Sequence, residues 1–194
     1  MTQADAARFK LARVYETERL RLRPFEARDL EAVFAMQSDP EITRYLHWDP
    51  RTEDEVREAL DVKIRSTALR AEGEWVFLAA ERKDTGEVVA DTVLKWLSAE
   101  HRTAEVGFVA HPDHHGRGYT TEAVGELLRI AFEELEMHRI VGHTEARNTA
   151  SARVMEKLGM RREGHLIENG WVKGEWQSEL IYAMLDHEWR AAQG

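Results

Sequence analysis

The chain reads His114-His115-Gly116-Arg117-Gly118-Tyr119-Thr120-Thr121 between an apolar run at residues 106–110 and an amphipathic run that ends near Leu135. The first run predicts a strand and the second a helix. Glycines let the backbone approach an anion closely, and the free amides at a helix start favour negative charge. The stretch therefore predicts a strand-turn-helix unit that holds a phosphate, with a simple tight turn as the alternative.

Two common phosphate-binding motifs are absent from this stretch. A Walker-type loop ends in Gly-Lys-Ser/Thr, and a dinucleotide fingerprint needs a third glycine at fixed spacing and an acidic residue further on. Neither pattern surrounds Gly116 and Gly118. A nucleoside triphosphate is therefore not the predicted ligand.

The segment HGRGYT resembles motif A of the GNAT acetyltransferase superfamily, written Q/R-x-x-G-x-G/A. In that family the backbone amides of the motif hold the pyrophosphate of acetyl-coenzyme A. The resemblance implies cofactor contacts at His115, Gly116, Arg117, Gly118, Tyr119 and Thr120. His115 stands where the family has Gln or Arg, and Thr120 where it usually has Gly or Ala, but both leave the backbone amides available.

A second block strengthens the resemblance. Asn148-Thr149-Ala150-Ser151 followed by Glu156-Lys157-Leu158-Gly159-Met160 is similar to the family's "N-x-x-S/A … E-K-L-G-F" block. The likeness runs from Glu18 to Met184 and is closest to the branch of the ribosomal-protein alanine N-acetyltransferases. Members of this branch usually open on a strand like residues 18–24.

Composition limits the classes of function. With 194 residues and 43% hydrophobic content, the chain is long enough for one globular domain with a sizeable core. The formal net charge of -9 disfavours broad attraction to nucleic acid or to an anionic membrane, and it suits a cationic amine. The chain has no cysteine, which excludes a disulfide framework and an acetyl-cysteine intermediate.

Hydropathy gives no targeting or membrane segment. No apolar run approaches the ~20 residues that span a bilayer. The first twelve residues also lack the hydrophobic stretch of a signal peptide. The expected location is the cytoplasm.

The periodicity predicts an α+β order with a peripheral segment at residues 1–15 and a single domain at 16–194. Strands are predicted at 19–23, 75–80, 88–97, 103–109, 139–144, 160–167 and 177–184, and helices at 30–36, 52–69, about 119–135 and 148–158. The resemblance implies the GNAT fold. This is a central, mostly antiparallel twisted sheet, flanked by helices, whose fourth and fifth strands splay into a V-shaped cleft for the cofactor.

The resemblance also implies catalytic roles. Glu105 is similar to the glutamate that some members use as a general base through water, and an ordinary exposed carboxylate is its alternative. The amide near Val109 would bind the oxyanion and the pantetheine arm. Many relatives have a general-acid tyrosine where this chain has Met155. The hydroxyl of Ser151 is therefore the candidate acid, and Asn148 would bind the pantetheine arm or the substrate, with helix capping as the alternative for both.

Aromatic residues are candidates for an acceptor pocket, with core or rim packing as the alternative for each. The predicted substrate contacts are His47, Trp48, Trp96, Glu105 and Trp171. Asp49 flanks Trp48 on a loop that faces the cleft in related proteins, and Trp176 is a further aromatic candidate. The adjacent His114 and His115 diverge and have no ligand cluster nearby, so no metal is predicted.

The sequence thus predicts an N-acetyltransferase that transfers acetyl directly from acetyl-coenzyme A to a primary amine. The preferred acceptor is a protein N-terminal α-amine, as in the ribosomal branch, and a small amine or antibiotic is the alternative. A macromolecular acceptor predicts an open cleft, and a small one predicts closure by aromatic residues. A non-catalytic acyl-coenzyme A binding module is the alternative from another class. A homodimer is expected from the resemblance only.

Overall fold

A computed structural model describes residues 9–10 and 13–193. The strands are β1 (Phe9–Lys10), β2 (Tyr15–Glu16), β3 (Leu20–Arg23), β4 (Ala68–Leu69), β5 (Trp75–Arg82), β6 (Val88–Ser98), β7 (Thr103–Ala110), β8 (Arg139–Glu145), β9 (Arg161–Val172) and β10 (Glu175–Leu185). The helices are α1 (Leu30–Ser38), α2 (Pro40–Thr43), α3 (Glu53–Arg65), α4 (Tyr119–Arg129), α5 (Thr149–Lys157) and α6 (Asp186–Ala192). Within the described ranges, no helix is both long and apolar enough to cross a membrane.

One sheet of eight strands organises the chain, in the order β2-β3-β5-β6-β7-β8-β10-β9. Neighbouring strands are antiparallel except β7 and β8, which are parallel. The parallel pair needs a crossover, and α4 supplies it. The predicted α+β order and the mostly antiparallel sheet flanked by helices are confirmed.

The parallel pairing of β7 and β8 is short. It joins Thr103 to Arg139, Ala104 to Ile140 and Glu105 to Val141. A Cβ built on Gly142 would lie 3.7 Å from the Val106 carbonyl oxygen, so the strands are still close at that level. From there to Ala110, β7 pairs with β6 alone. The V-shaped splay predicted between the fourth and fifth strands is therefore present here.

Helices cover both faces of the sheet. The larger core lies under α4 and α5 and includes Leu94, Trp96, Leu127 and Leu128. Met155 of α5 packs so closely on β8 that a Cβ on Gly142 would lie 2.7 Å from its sulfur. A smaller core lies under α1 and α3 and includes Phe25, Val33, Met36, Val56 and Leu60. The two faces therefore have separate cores, and a side chain on a strand belongs to one or the other.

Several boundaries differ from the predicted ones. The helix predicted at 52–69 begins with the expected Thr52 and Glu55 capping box but ends at Arg65. Ala68 and Leu69 instead pair with β1. Tyr15, at the edge of the predicted peripheral segment, is 5% exposed and packs in the larger core, while residues 1–8, 11 and 12 lie outside the described residues. The last two strands run longer than predicted because they form a hairpin whose pairing continues past Glu179, where the pairing of β10 with β8 ends.

A buried ion cluster fixes the connection from β3 to α1. The Arg23 guanidinium donates to both Asp29 oxygens at 2.8 Å and, through Nε, to Glu81 at 2.8 Å. Asp29 also accepts from the Glu26 amide at 2.8 Å. Arg23, Asp29 and Glu81 are all at most 5% exposed. The cluster therefore holds the start of α1 against the edge of the sheet.

We expect Asp29→Ala to destabilise the fold by about 3 kcal/mol, because it leaves a buried guanidinium with half of its carboxylate partners. Urea unfolding followed by circular dichroism measures the change. Asp61→Ala, an exposed change on α3, is the control and should stay within about 0.5 kcal/mol of wild type. Equal unfolding midpoints for the two variants would show that the cluster does not hold α1.

Candidate active site

An open cavity of about 340 Å³ lies between the helices α1 and α3 and the face of β5, β6 and β7. Its apolar walls are largely aromatic and come from Trp48, Trp75, Phe77, Val93, Phe108 and Val109. Trp75 and Val62 form part of its rim and are 45% and 53% exposed. A volume of this order is typical of pockets for small molecules.

Four polar residues complete the lining: Gln37, Arg51, Lys63 and Asp91. Lys63 Nζ and Asp91 Oδ2 form an ion pair at 2.6 Å, with both side chains below 10% exposure. The same ammonium lies 4.0 Å from the centre of the Phe77 ring. Arg51 donates to Gln37 Oε1 at 2.7 Å and stacks 4.8 Å from the Trp48 ring centre.

The cavity meets the splay at the end of β7. Phe108 and Val109 line the cavity and belong to the part of β7 that pairs with β6 alone. Backbone N–H and C=O groups on the β8 side of this segment have no strand partner among the described residues. Such groups need water or a ligand as partners. A ligand that bound along this free edge of β7 would therefore reach the cavity at Phe108 and Val109.

The glycine-rich turn has the geometry that anion binding requires. Gly116 and Gly118 have φ of 75° and 80°, a left-handed conformation that favours glycine. Gly118 is the N-cap of α4 and makes no side-chain cap bond, so the first amides of the helix face outward without an internal acceptor. A Cβ on Gly116 would meet nothing within 4 Å. The turn therefore leaves room for a phosphate at a helix start.

Glu122, one turn into α4, anchors this helix start to the β2–β3 connection. It accepts hydrogen bonds from Thr17 Oγ1 at 2.6 Å and from Arg19 N and Nε at 2.8 and 2.6 Å. Burial raises the pKa of Glu122, but these hydrogen bonds outweigh it and hold the pKa below its usual value. Arg19 also donates to the Arg117 carbonyl at 3.0 Å. The turn is thus held from one side.

Histidines precede the turn without forming a metal site. The His111 and His114 rings lie 5.2 Å apart, and the His114 ring lies 6.1 Å from that of Tyr119. Burial lowers the pKa of His111, and the neighbouring His114 lowers it further. Among the residues that the structure describes, no three His, Cys, Asp or Glu side chains are grouped to hold a metal. The absence of a metal stays a prediction.

Glu105 occupies the last paired position before the splay. It lies opposite Lys95 on β6 and Val141 on β8, and it is half-buried. It shares a sheet face with Val109, but four residues of strand separate their Cα atoms by roughly 13 Å. Glu105 does not line the cavity. A proton from an amine beside Val109 could reach it only through water.

The start of α5 stands on the β8 side of the splay. Asn148 is its N-cap and accepts from the Ser151 amide at 3.1 Å, so the capping alternative is real for Asn148. Ser151 is half-buried, and its hydroxyl makes none of the hydrogen bonds found within the described residues. Met155 is 1% exposed and fills the core beside Gly142. The site of the family's tyrosine is therefore an apolar contact here.

The structure brings only part of the predicted acceptor set to the cavity. Trp48 lines it. Trp96 is 4% exposed in the larger core on the other face of the sheet, which corrects its assignment to the acceptor pocket. His47 is exposed, and Trp171 is 61% exposed on the β9–β10 hairpin against Trp176. Neither lines the cavity, and their roles stay predictions.

Sequence reasoning missed most of the lining. The unpredicted members are Gln37, Arg51, Ala59, Val62, Lys63, Trp75, Phe77, Asp91, Val93 and Phe108. Trp75, Phe77 and the facing positions of β6 do alternate with core residues, which marks one sheet face. The sequence alone does not say which helices cover that face.

Comparison with known proteins follows this geometry. The family model "Acetyltransferase (GNAT) domain" matches residues 19–161. An uncharacterized N-acetyltransferase of Bacillus subtilis is 33% identical over 173 residues, which covers 89% of this chain and 97% of that protein. An acetyltransferase of the GNAT family from Bacillus anthracis superposes with a TM-score of 0.81 at 32% identity, over 91% of this chain and 100% of that one.

A third comparison concerns a complex. Spermidine N-acetyltransferase from Vibrio cholerae, solved with CoA and spermine, superposes with a TM-score of 0.75 at 23% identity, over 90% of this chain and 99% of that one. This likeness supports the fold. The GNAT family uses acetyl-coenzyme A as its acetyl donor. The domain matched at residues 19–161 includes the splay, the glycine-rich turn and the start of α5. Because this match covers most of the chain, the chain belongs to the GNAT family and is an acetyltransferase.

Proposed function

We propose that this enzyme transfers acetyl from acetyl-coenzyme A to the primary amine of a small molecule bound in the cavity beside Val109. The observation that carries the proposal is the meeting of the splay and the aromatic cavity at that residue. Acetyl-coenzyme A supplies the acetyl group as a thioester. The protein binds it, orients the amine and moves two protons.

The residues fit the donor. The open space at Gly116 and the outward amides at the start of α4 suit a pyrophosphate. The free edge of β7 suits the amide groups of a pantetheine arm, since both need hydrogen-bond partners. The backbone amide near Val109 would stabilise the oxyanion. His115, Arg117, Tyr119, Thr120 and Asn148 remain proposed contacts of the donor.

The proposed chemistry needs only two proton transfers. The amine nitrogen bonds to the acetyl carbon while the carbon–sulfur bond breaks. Glu105 accepts the amine proton through water, and the Ser151 hydroxyl gives a proton to the departing thiolate and regains one from solvent. Acetylated amine and free thiol are the products.

The cavity favours a small acceptor over a protein N-terminus. Trp48, Trp75, Phe77 and Phe108 line a volume of about 340 Å³, and these aromatic walls suit a small substrate although the cavity is open to solvent. The rim at Trp75 is partly exposed, so a peptide N-terminus, the acceptor of the ribosomal branch, is the second candidate. A non-catalytic module would need neither a free Ser151 hydroxyl nor an acceptor cavity.

We expect Gly118→Glu to weaken coenzyme A binding at least about tenfold, because the change strains a left-handed residue and repels a pyrophosphate. Calorimetric titration of coenzyme A measures the loss. Gly174→Glu is the matched control, since Gly174 has φ of 81° and a Cβ there meets nothing within 4 Å. If both folded variants bound coenzyme A with wild-type affinity, the proposal that this turn binds the pyrophosphate would be wrong.

We expect Glu105→Gln to lower kcat about 10²-fold without changing the dissociation constant of coenzyme A, because an amide cannot accept the amine proton. Thiol release measures kcat with an acceptor that the wild-type enzyme acetylates. Glu100→Gln, in the exposed β6–β7 turn, serves as control. An unchanged kcat for Glu105→Gln would make Glu105 an ordinary strand carboxylate.

We expect Ser151→Ala to lower kcat at least about tenfold, because the leaving thiolate loses its proton donor. Thr149→Ala, an exposed change in the same first turn of α5, should retain wild-type kcat. If Ser151→Ala weakens coenzyme A binding at unchanged kcat, then the hydroxyl binds the donor and is not the acid.

A further inference from the structure

We infer that the acceptor of this enzyme is an amine that carries a carboxylate and an apolar group, as a free apolar amino acid does. The inference rests on the proposed function, because it concerns the cavity beside Val109. It follows from the charges, the hydrogen-bond donors and the walls of that cavity.

The cavity is cationic in an acidic protein. Its charged lining is Arg51, Lys63 and Asp91, which sums to +1, whereas the whole chain carries -9. The Lys63–Asp91 ion pair at 2.6 Å is buried, so each of these two charges is compensated by the other. Arg51 remains as the charge without an opposite partner in the lining. A ligand with a carboxylate would supply that partner.

Arg51 has one acceptor beside it, Gln37 Oε1, and the nearby side-chain nitrogens of Gln37 and Trp48 are donors. Arg51 uses one N–H group on Gln37 Oε1 at 2.7 Å, which leaves the Gln37 amide nitrogen as the free end of that side chain. Trp48 Nε1, which can only donate, is buried and has no hydrogen-bond partner within residues 13–193. A carboxylate accepts several hydrogen bonds and donates none. Trp48 Nε1 thus lacks an acceptor among the described residues, and a carboxylate would bring one.

The remaining walls match an apolar substituent. Trp75, Phe77, Val93 and Phe108 offer aromatic and aliphatic surface, and one further cation, Lys95 Nζ, lies 4.5 Å from the centre of the Trp75 ring. Contact with this surface stabilises an apolar side chain in proportion to the area removed from water. Arg51, which has no opposite charge in the lining, and the apolar walls together select a molecule that has both features.

The same charges disfavour a polyamine. A polyamine has several ammonium groups, and each would need a carboxylate in or near the cavity. Asp91 is the one carboxylate in the lining and is already paired with Lys63, and Glu105 on the same sheet face lies outside the lining, so most ammonium groups of a polyamine would have no partner. Arg51 would add repulsion. The inferred acceptor class therefore differs from that named for the spermidine N-acetyltransferase of Vibrio cholerae.

An acceptor panel tests the inference directly. Thiol release from acetyl-coenzyme A is measured with L-leucine, L-methionine and L-phenylalanine, with their amides and decarboxylated amines, with spermidine, and with peptides that begin with Ala or Ser. We expect the kcat/KM of the best amino acid to exceed that of its own amide and decarboxylated amine at least tenfold. Higher kcat/KM for spermidine, a peptide or the decarboxylated amine would overturn the inference.

A matched pair of arginine variants locates the effect. Arg51→Gln should lower kcat/KM for the best amino acid at least tenfold, mainly through KM, and should lower that for its amide by about threefold at most. Arg44→Gln is the control, because Arg44 is exposed on the same loop, stacks on Tyr45 at 5.5 Å and does not line the cavity. Equal losses in both variants, or a loss for the amide as large as for the acid, would overturn the role of Arg51.

The two proposals fail in different ways. If the wild type binds coenzyme A and acetylates a peptide or a polyamine but no amino acid, the carboxylate inference is wrong and the transferase remains. If the folded wild type binds no coenzyme A and acetylates nothing in the panel, the proposed function itself is wrong.

Discussion

The hydrogen bonding between β7 and β8 stops after three residue pairs, and the candidate active site depends on that interruption. Each strand keeps one partner, β6 for β7 and β10 for β8, so neither loses its place in the sheet. An unmet backbone group that is withdrawn from water costs about 1–3 kcal/mol. The opening therefore has to be filled by water or by a ligand with amide groups of its own. The helices α4 and α5 follow these two strands along the chain and begin at Tyr119 and Thr149.

Polar contacts hold the parts around this opening, and two of the three are buried. Glu122 ties the start of α4 to Thr17 and Arg19, and the Arg23 cluster fixes α1 over the sheet. The Lys63–Asp91 pair joins α3 to β6 across the cavity. The two buried contacts, the Arg23 cluster and the Lys63–Asp91 pair, would be costly to break on one side only. They hold the start of α4 on one side of the opening and α1 and α3 over the cavity.

The sequence predicted the elements whose signals are local. The Thr52 and Glu55 capping box, Asn148 as an N-cap and the glycine-rich turn were all recognisable because each acts within four residues. The cavity could not be predicted in this way, because Arg51, Asp91 and Phe108 come together only after three separate segments of the chain have packed. Trp96 shows the same limit. A tryptophan suits a pocket, but the alternation of side chains along β6 points Trp96 into the larger core, on the sheet face opposite the cavity. The family resemblance predicted the splay, which no local pattern encodes.

Amide hydrogen exchange with and without coenzyme A is the most direct measurement of whether the interrupted pairing forms the donor site. The account predicts that coenzyme A slows exchange in two separate segments, residues 106–110 of β7 and residues 116–121 at the start of α4. Residues of β5 and β10 should be unaffected. Protection confined to other segments, or slower exchange in the turn with none in β7, would contradict the claim that the free edge of β7 binds the donor.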